Sequence, residues 1–192
     1  MSSEKYFKLY KPYGYLSQFI TNEKPRKKKK LLGELYNFPE GTMAIGRLDQ
    51  DSEGLLLLTT NGKASAAVTG RKTEKEYYVQ VDGIITEEAL EKLREGLEIS
   101  INGKTVQTLP CKAKKLTQNP NFPERGKKIR DERHGPTSWI SVILNEGKFR
   151  QVKKMTAVLG FPTLRLVRVR IGKEILGDLQ PGAVSVLDKF KL

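Results

Sequence analysis

The chain has one cysteine, Cys111, one histidine, His134, and one tryptophan, Trp139, among 192 residues. A lone cysteine forms no internal disulfide, so a reducing, cytoplasmic setting is expected. One cysteine and one histidine also leave almost no material for a zinc site, a Cys-His dyad or a Ser-His-Asp triad. No apolar run approaches a membrane span, and the opening MSSEKYFKLYK lacks the apolar core of a signal peptide. Acids are scarce as well: 22 Asp and Glu stand against 35 Lys and Arg, a formal net charge of +13. That excess points to a polyanionic partner, nucleic acid before an anionic membrane. What is left for chemistry is carboxylates, Lys, Arg, Tyr and hydroxyls.

The carboxylate that stands out lies in Met43–Gly62, MAIGRLDQDSEGLLLLTTNG. A β-prone lead-in, Met43-Ala44-Ile45, runs into Gly46, Arg47, Leu48 and Asp49. Asp51, Ser52 and Glu53 follow, then a turn at Gly54 and the apolar run Leu55–Leu58, the pattern of a fully buried strand. A carboxylate lifted on a Gly-rich turn between two buried strands is well placed for reactive chemistry. A lone Asp in a turn equally fits an N-cap or Asx-turn.

Along the rest of the chain, Tyr6 to Lys11 reads as a strand, with K-P-Y-G (Lys11–Gly14) as a turn and Tyr15 to Ile20 resuming extended structure. Lys24–Lys30 is a basic run, either a solvated loop or a phosphate-contacting one. Leu31, Leu32 and Leu35 fit a short helix ended near Pro39, and Gly62 to Val68 a second one, followed by a basic link over Arg71–Lys75. Glu76 to Val81 alternates as a strand. Thr86 is the expected N-cap of a helix with Leu90, Leu93 and Leu97 on one face and Gly96 as its stop. Asn102-Gly103 predicts a hairpin between Leu97–Ile101 and Lys104–Leu109. Residues 118–136 read as a long insertion or mobile loop, ordered on RNA. Thr137–Leu144 is a strand, Lys148–Leu159 a helix capped by Gly160, Arg165–Ile171 a strand with one basic face, and Val184–Leu187 a closing strand. Hairpin-joined strands with few helices give an α+β fold with a mostly antiparallel sheet. No linker splits residues 1–192, so a single catalytic domain is expected, with room for two subdomains around a cleft.

Four stretches together resemble the pseudouridine synthases, in the branch acting on bacterial ribosomal RNA and within it the E-type large-subunit subgroup. They are Lys11-Pro12-Tyr13-Gly14; Gly46-Arg47-Leu48-Asp49 with its tail to Thr59; Lys75-Glu76-Tyr77; and Glu146 to Met155, EGKFRQVKKM. The chain opens almost directly on KPYG, so the separate N-terminal RNA-binding domain of several relatives is expected to be absent. The resemblance implies a mixed central sheet with flanking helices and an active-site cleft. It implies isomerisation of a uridine in large-subunit ribosomal RNA to pseudouridine. No group or electron enters or leaves in that reaction, so no cofactor and no metal is expected.

By resemblance, Asp49 is the essential aspartate, Lys153 the basic residue beside it, and Tyr77 the tyrosine lying against the uracil. A hydrophobic residue of the 164–167 segment, Leu166, floors the pocket. Arg47 fills the space left by the flipped base or binds the adjacent phosphate, although an ion pair with Asp51 or Glu53 suits it nearly as well. Lys11, Arg71, Arg150, Lys154, Arg165 and Arg168 are candidate phosphate contacts. Taken by themselves, Lys153 reads as a solvated helix charge and Tyr77 as a core aromatic. Expected partners are large-subunit ribosomal RNA or a precursor particle and no membrane, with a monomeric enzyme. A non-catalytic RNA-binding protein and a metal-dependent nuclease using Asp49, Asp51 and Glu53 are the competing readings.

Overall fold

A computed structural model describes residues 4–21, 29–69, 73–130 and 132–191. In chain order the strands are β1 (Tyr6–Lys11), β2 (Met43–Ile45) and β3 (Glu53–Thr59), then helix α1 (Gly62–Thr69) and β4 (Lys75–Asp82). Helix α2 (Glu87–Glu95) leads to β5 (Glu98–Ile101), β6 (Lys104–Gln107), β7 (Lys112–Lys115) and β8 (Thr137–Leu144). Helix α3 (Gln151–Val158) is followed by β9 (Thr163–Ile171), β10 (Glu174–Ile175) and β11 (Val184–Leu187). The fold is α+β, and the pairings of β1, β2, β7, β8, β10 and β11 are antiparallel. The chain separates into two compact units. One is Met1–Thr73, Pro123–Lys127 and Arg168–Leu192; the other is Glu74–Phe122 and Lys128–Val167.

In the first unit the strand order is β11-β1-β3-β9, with β2 on β3 and β10 on β9. β3 is buried along all seven residues. Its two faces are served by alternate residues of β1: Phe7 lies opposite Leu58 and Leu9 opposite Leu56, while Tyr10 lies opposite Leu55. Phe7, Leu9, Leu32, Leu56 and Leu58 form one core cluster, with Phe19, Leu35, Phe38, Ala44 and Val184 packed on it. Each fully buried leucine contributes roughly 1.5–3 kcal/mol, which makes the Leu55–Leu58 run the anchor of this unit. Tyr15–Ile20 is not the extended strand expected. Among the described residues one bridge, Tyr15 to Lys30, forms there beside two backbone hydrogen bonds, and Phe19 packs against the core. Of the basic run 24–30, residues 24–28 lie outside the described residues; Lys30 stands over the Tyr15 ring at 5.4 Å.

In the second unit the order is β9-β4-β8-β7, with β5 and β6 as a separate hairpin. β4 and β8 pair over eight residues from Lys75↔Leu144 to Asp82↔Thr137. Alternation along β4 buries Tyr77, Val79 and Val81. Thr86 caps α2 by accepting the Ala89 N–H, and Gly96 ends it at φ +90°. Asn102 and Gly103 both take positive φ, as the hairpin turn requires. α3 begins at Gln151, three residues later than the sequence predicts, because Arg150 sits in the left-handed region at φ +51°. Segment 118–136 is not a free loop. Phe122 packs against Trp139 at 5.7 Å and Tyr78 at 6.2 Å, and in the first unit Arg125 stands over the Tyr13 ring at 4.8 Å.

Candidate active site

The residues expected to carry the chemistry are divided between the units. Asp49, Arg47 and Lys11 belong to the first; Tyr77, Arg150, Lys153, Lys154, Arg165 and Leu166 belong to the second. Arg71 lies outside the described residues.

In the first unit, Ile45 ends β2 and Gly46 turns the chain at φ +67°. Leu48 then buries its side chain at 6% exposed, while Asp49 beside it stays half-buried. The backbone on both sides of Asp49 is fixed. Ser17 Oγ donates to the Leu48 carbonyl at 2.8 Å and accepts the Leu48 N–H at 2.9 Å, so one hydroxyl holds both ends of that residue. The Gly14 N–H donates to the Gln50 carbonyl at 2.8 Å, and Gln50 Nε2 donates back to the Gly14 carbonyl at 3.1 Å. The Ser52 N–H closes the turn onto the Asp49 carbonyl at 3.0 Å. The turn is therefore rigid at Leu48 and Gln50, which presents the carboxylate between them in a preset place.

Lys11 corrects an expectation. It is fully buried, and its Nζ donates to the carbonyls of Pro12 at 3.0 Å and Tyr15 at 2.7 Å. It cannot meet an RNA phosphate from there. Its ammonium instead shapes the K-P-Y-G turn, whose Gly14 holds Gln50. Arg47 is exposed. Glu53 is 2% exposed inside the sheet, and among the described residues no three of His, Cys, Asp and Glu gather so as to hold a metal ion.

In the second unit, Tyr77 lies in β4 opposite Val142 and is 9% exposed, whereas Tyr78 on the other face is only half-buried beneath Phe122. Tyr77 is the deeper of the pair. Leu166 is 5% exposed in β9. Lys153 lies half-buried in the first turn of α3. The approach to α3 is tied by Glu146, whose carboxylate accepts from the Leu109 N–H at 2.8 Å, Gln151 Nε2 at 2.6 Å and Lys148 Nζ. Burial pushes this carboxyl up, but those donors outweigh it and hold it below the ordinary carboxylate range. Lys154 Nζ donates to the Ser100 carbonyl at 2.7 Å, and Arg150 is half-buried.

The strand 165–171 does not have one basic face. Strict alternation puts Arg165 on the side opposite Arg168 and Arg170. Arg165 is 7% exposed with its guanidinium over the Phe122 ring at 5.5 Å, and Arg168 is 3% exposed. Both expectations of an exposed phosphate contact are corrected by that burial. Cys111 is no candidate nucleophile: burial pushes its thiol up to about 11. The residues missed from sequence are Ser17 and Gly14 in their supporting roles. K-P-Y-G marked the second as a turn, whereas no local pattern marks a serine that meets Leu48 from 31 positions away.

Three comparisons bear on this geometry. The family model described as RNA pseudouridylate synthase matches residues 5–158. The chain is 45% identical over 174 residues to the "Ribosomal large subunit pseudouridine synthase E" of Vibrio parahaemolyticus, covering 90% of this chain and 69% of that protein. It is 41% identical over 182 residues to the protein of the same name from Xanthomonas campestris pv. campestris, covering 94% of each. A solved structure described as a pseudouridylate synthase superposes with a TM-score of 0.74 at 26% identity, covering 97% of this chain and 71% of that one.

Proposed function

The chain belongs to the RNA pseudouridylate synthase family, and from that premise we propose that it isomerises a uridine of large-subunit ribosomal RNA with Asp49 as the nucleophile. The reaction breaks the bond between ribose and the base nitrogen, turns the uracil and rejoins it through a ring carbon. The ring carbon loses a proton and the freed nitrogen gains one, so the product is an isomer and no co-reactant enters. An ionised carboxylate, exclusion of water and a surface that retains the loose base are the requirements. Asp49 is assigned the carboxylate. Lys153 takes the part of the family's basic residue, Tyr77 that of the aromatic against the uracil, and Leu166 that of the floor of the base site. Base stacking of that kind is worth ~1–3 kcal/mol. Arg47, exposed at the turn, meets the flanking nucleotide or its phosphate, with Arg150 and Lys154 as further phosphate contacts. Arg71 is proposed for the same role.

The observation that carries this reading is the extent of the family match. Residues 5–158 include the Asp49 turn, Tyr77 and Lys153 in one span. The relatives named above supply the substrate class. A non-catalytic RNA-binding protein would share the +13 charge but would have no need of the Asp49, Tyr77 and Lys153 set. The protein is taken to act in the cytoplasm as a monomer on ribosomal RNA or its precursor particle. Among the described residues, no helix is long and apolar enough to cross a membrane.

The test is chemical mapping of pseudouridine in large-subunit ribosomal RNA from a strain whose only copy is Asp49→Asn. The expected result is the loss of one modified site, with folding and RNA affinity of the variant retained. A modification map identical to that of the wild type removes Asp49 from the chemistry.

A further inference from the structure

In the first unit the backbone of Arg168 passes against β3 so closely that a Cβ on Gly54 would meet the Arg168 carbonyl oxygen at 2.3 Å. The Arg168 side chain is 3% exposed. Its Nε donates to the Leu55 carbonyl at 2.7 Å, and its Nη1 reaches the Arg47 carbonyl at a longer 3.5 Å. Its Nη2 is buried with no hydrogen-bond partner among the described residues. No carboxylate is paired with this guanidinium among the described residues. A buried cation held only by neutral carbonyls carries a large desolvation penalty, and a leucine or methionine would fill the same space without it. What an apolar side chain cannot do is hold two separate carbonyls at once.

Those two carbonyls bracket the Asp49 turn, one two residues before it and the other at the start of the buried leucine run. Ser17 and Gly14 hold the turn at Leu48 and Gln50; Arg168 holds its two exits. We infer that Arg168 is a positioning residue for the proposed reaction: it sets where the Asp49 carboxylate sits by joining Arg47 to Leu55, and it does not touch the RNA. This rests on Asp49 being the nucleophile.

Arg168→Lys keeps a cation and most of the packing volume, but one ammonium cannot span both carbonyls. Single-turnover pseudouridine formation is measured on large-subunit ribosomal RNA from a strain lacking the gene. RNA affinity and the urea midpoint are measured beside it, and Asp49→Asn is run in parallel. The expected result for Arg168→Lys is a rate lower by about 100-fold, as for a displacement on the order of 1 Å, with RNA affinity unchanged and a folded protein. A rate within about threefold of wild type overturns the inference, as does a rate loss that merely follows lost RNA affinity. A variant that does not fold assigns Arg168 to folding and overturns it too. Full activity in Asp49→Asn removes both the nucleophile reading and this inference. An inactive Asp49→Asn beside an unimpaired Arg168→Lys removes the inference alone.

Discussion

The turn around Asp49 and the turn that leads into α3 are both short and polar, and each precedes an element that anchors its unit. In the first, the fixed points are backbone groups. The Leu48 N–H and carbonyl meet Ser17, the Gln50 carbonyl meets Gly14, and the Arg47 and Leu55 carbonyls meet Arg168. In the second, the fixed point is one carboxylate, Glu146, on which Leu109, Lys148 and Gln151 converge. The holding groups of the first turn named above are a hydroxyl, a glycine amide and a guanidinium. The hub of the second is a carboxylate, and that turn holds fully only while the carboxylate is ionised.

The largest effect on this contrast is expected from Gly54→Ala. The position has φ +105°, and the new Cβ would lie 2.3 Å from the Arg168 carbonyl oxygen and 2.7 Å from its nitrogen, both rigid backbone. Strain and overlap together should lower stability by about 3 kcal/mol or more in a urea titration, and a loss under about 1 kcal/mol would mean that the two strands are free to separate. Ser17→Ala comes next, because it strands a buried N–H and a buried carbonyl of Leu48. A loss of about 2 kcal/mol is expected, accompanied by a slower single-turnover rate at unchanged RNA affinity. Stability loss with an untouched rate would show that the turn does not need its clamp to place Asp49.

Glu146→Gln should have the smallest effect, about 1–2 kcal/mol, and the most informative pH dependence. The folded carboxyl lies below its ordinary value of 4.5. Its contribution is therefore complete above that value and is lost as pH falls through the lower, folded one. The gap between wild type and Glu146→Gln should be widest near pH 7 and should narrow at about pH 3, as read from urea titrations at each. A gap that stays constant over that range would place the binding of Lys148, Leu109 and Gln151 in shape rather than in charge. The Ser17→Ala gap, by contrast, should not change between the two conditions.

Much of this was legible in the residues. The Leu55–Leu58 run announced a strand buried on both faces, Thr86 and Gly96 marked the two ends of α2, and Asn102-Gly103 marked a hairpin. Each of these signals is local, so a few neighbouring side chains suffice to read it. The failures were of a different kind. Tyr15–Ile20 was β-prone but gave its Phe19 to the core. Segment 118–136 looked like polar loop, yet Phe122 found Tyr78 and Trp139. Lys11, Arg165 and Arg168 looked like surface cations because charge in a basic chain is normally solvated. Whether a given arginine faces solvent depends on which strands flank it, and composition holds no record of that.

By itself the amino-acid order determined the class of fold and the family resemblance, and it set the Asp49 carboxylate close to a glycine turn. These follow from residue type and short spacing. The tertiary structure alone decided how that carboxylate is held, since Ser17 meets Leu48 and Arg168 meets Leu55 across separations of 31 and 113 residues. Hydrogen bonds over such distances along the chain exist only after burial of β3 has brought their partners together, and so they leave no periodic trace in the sequence.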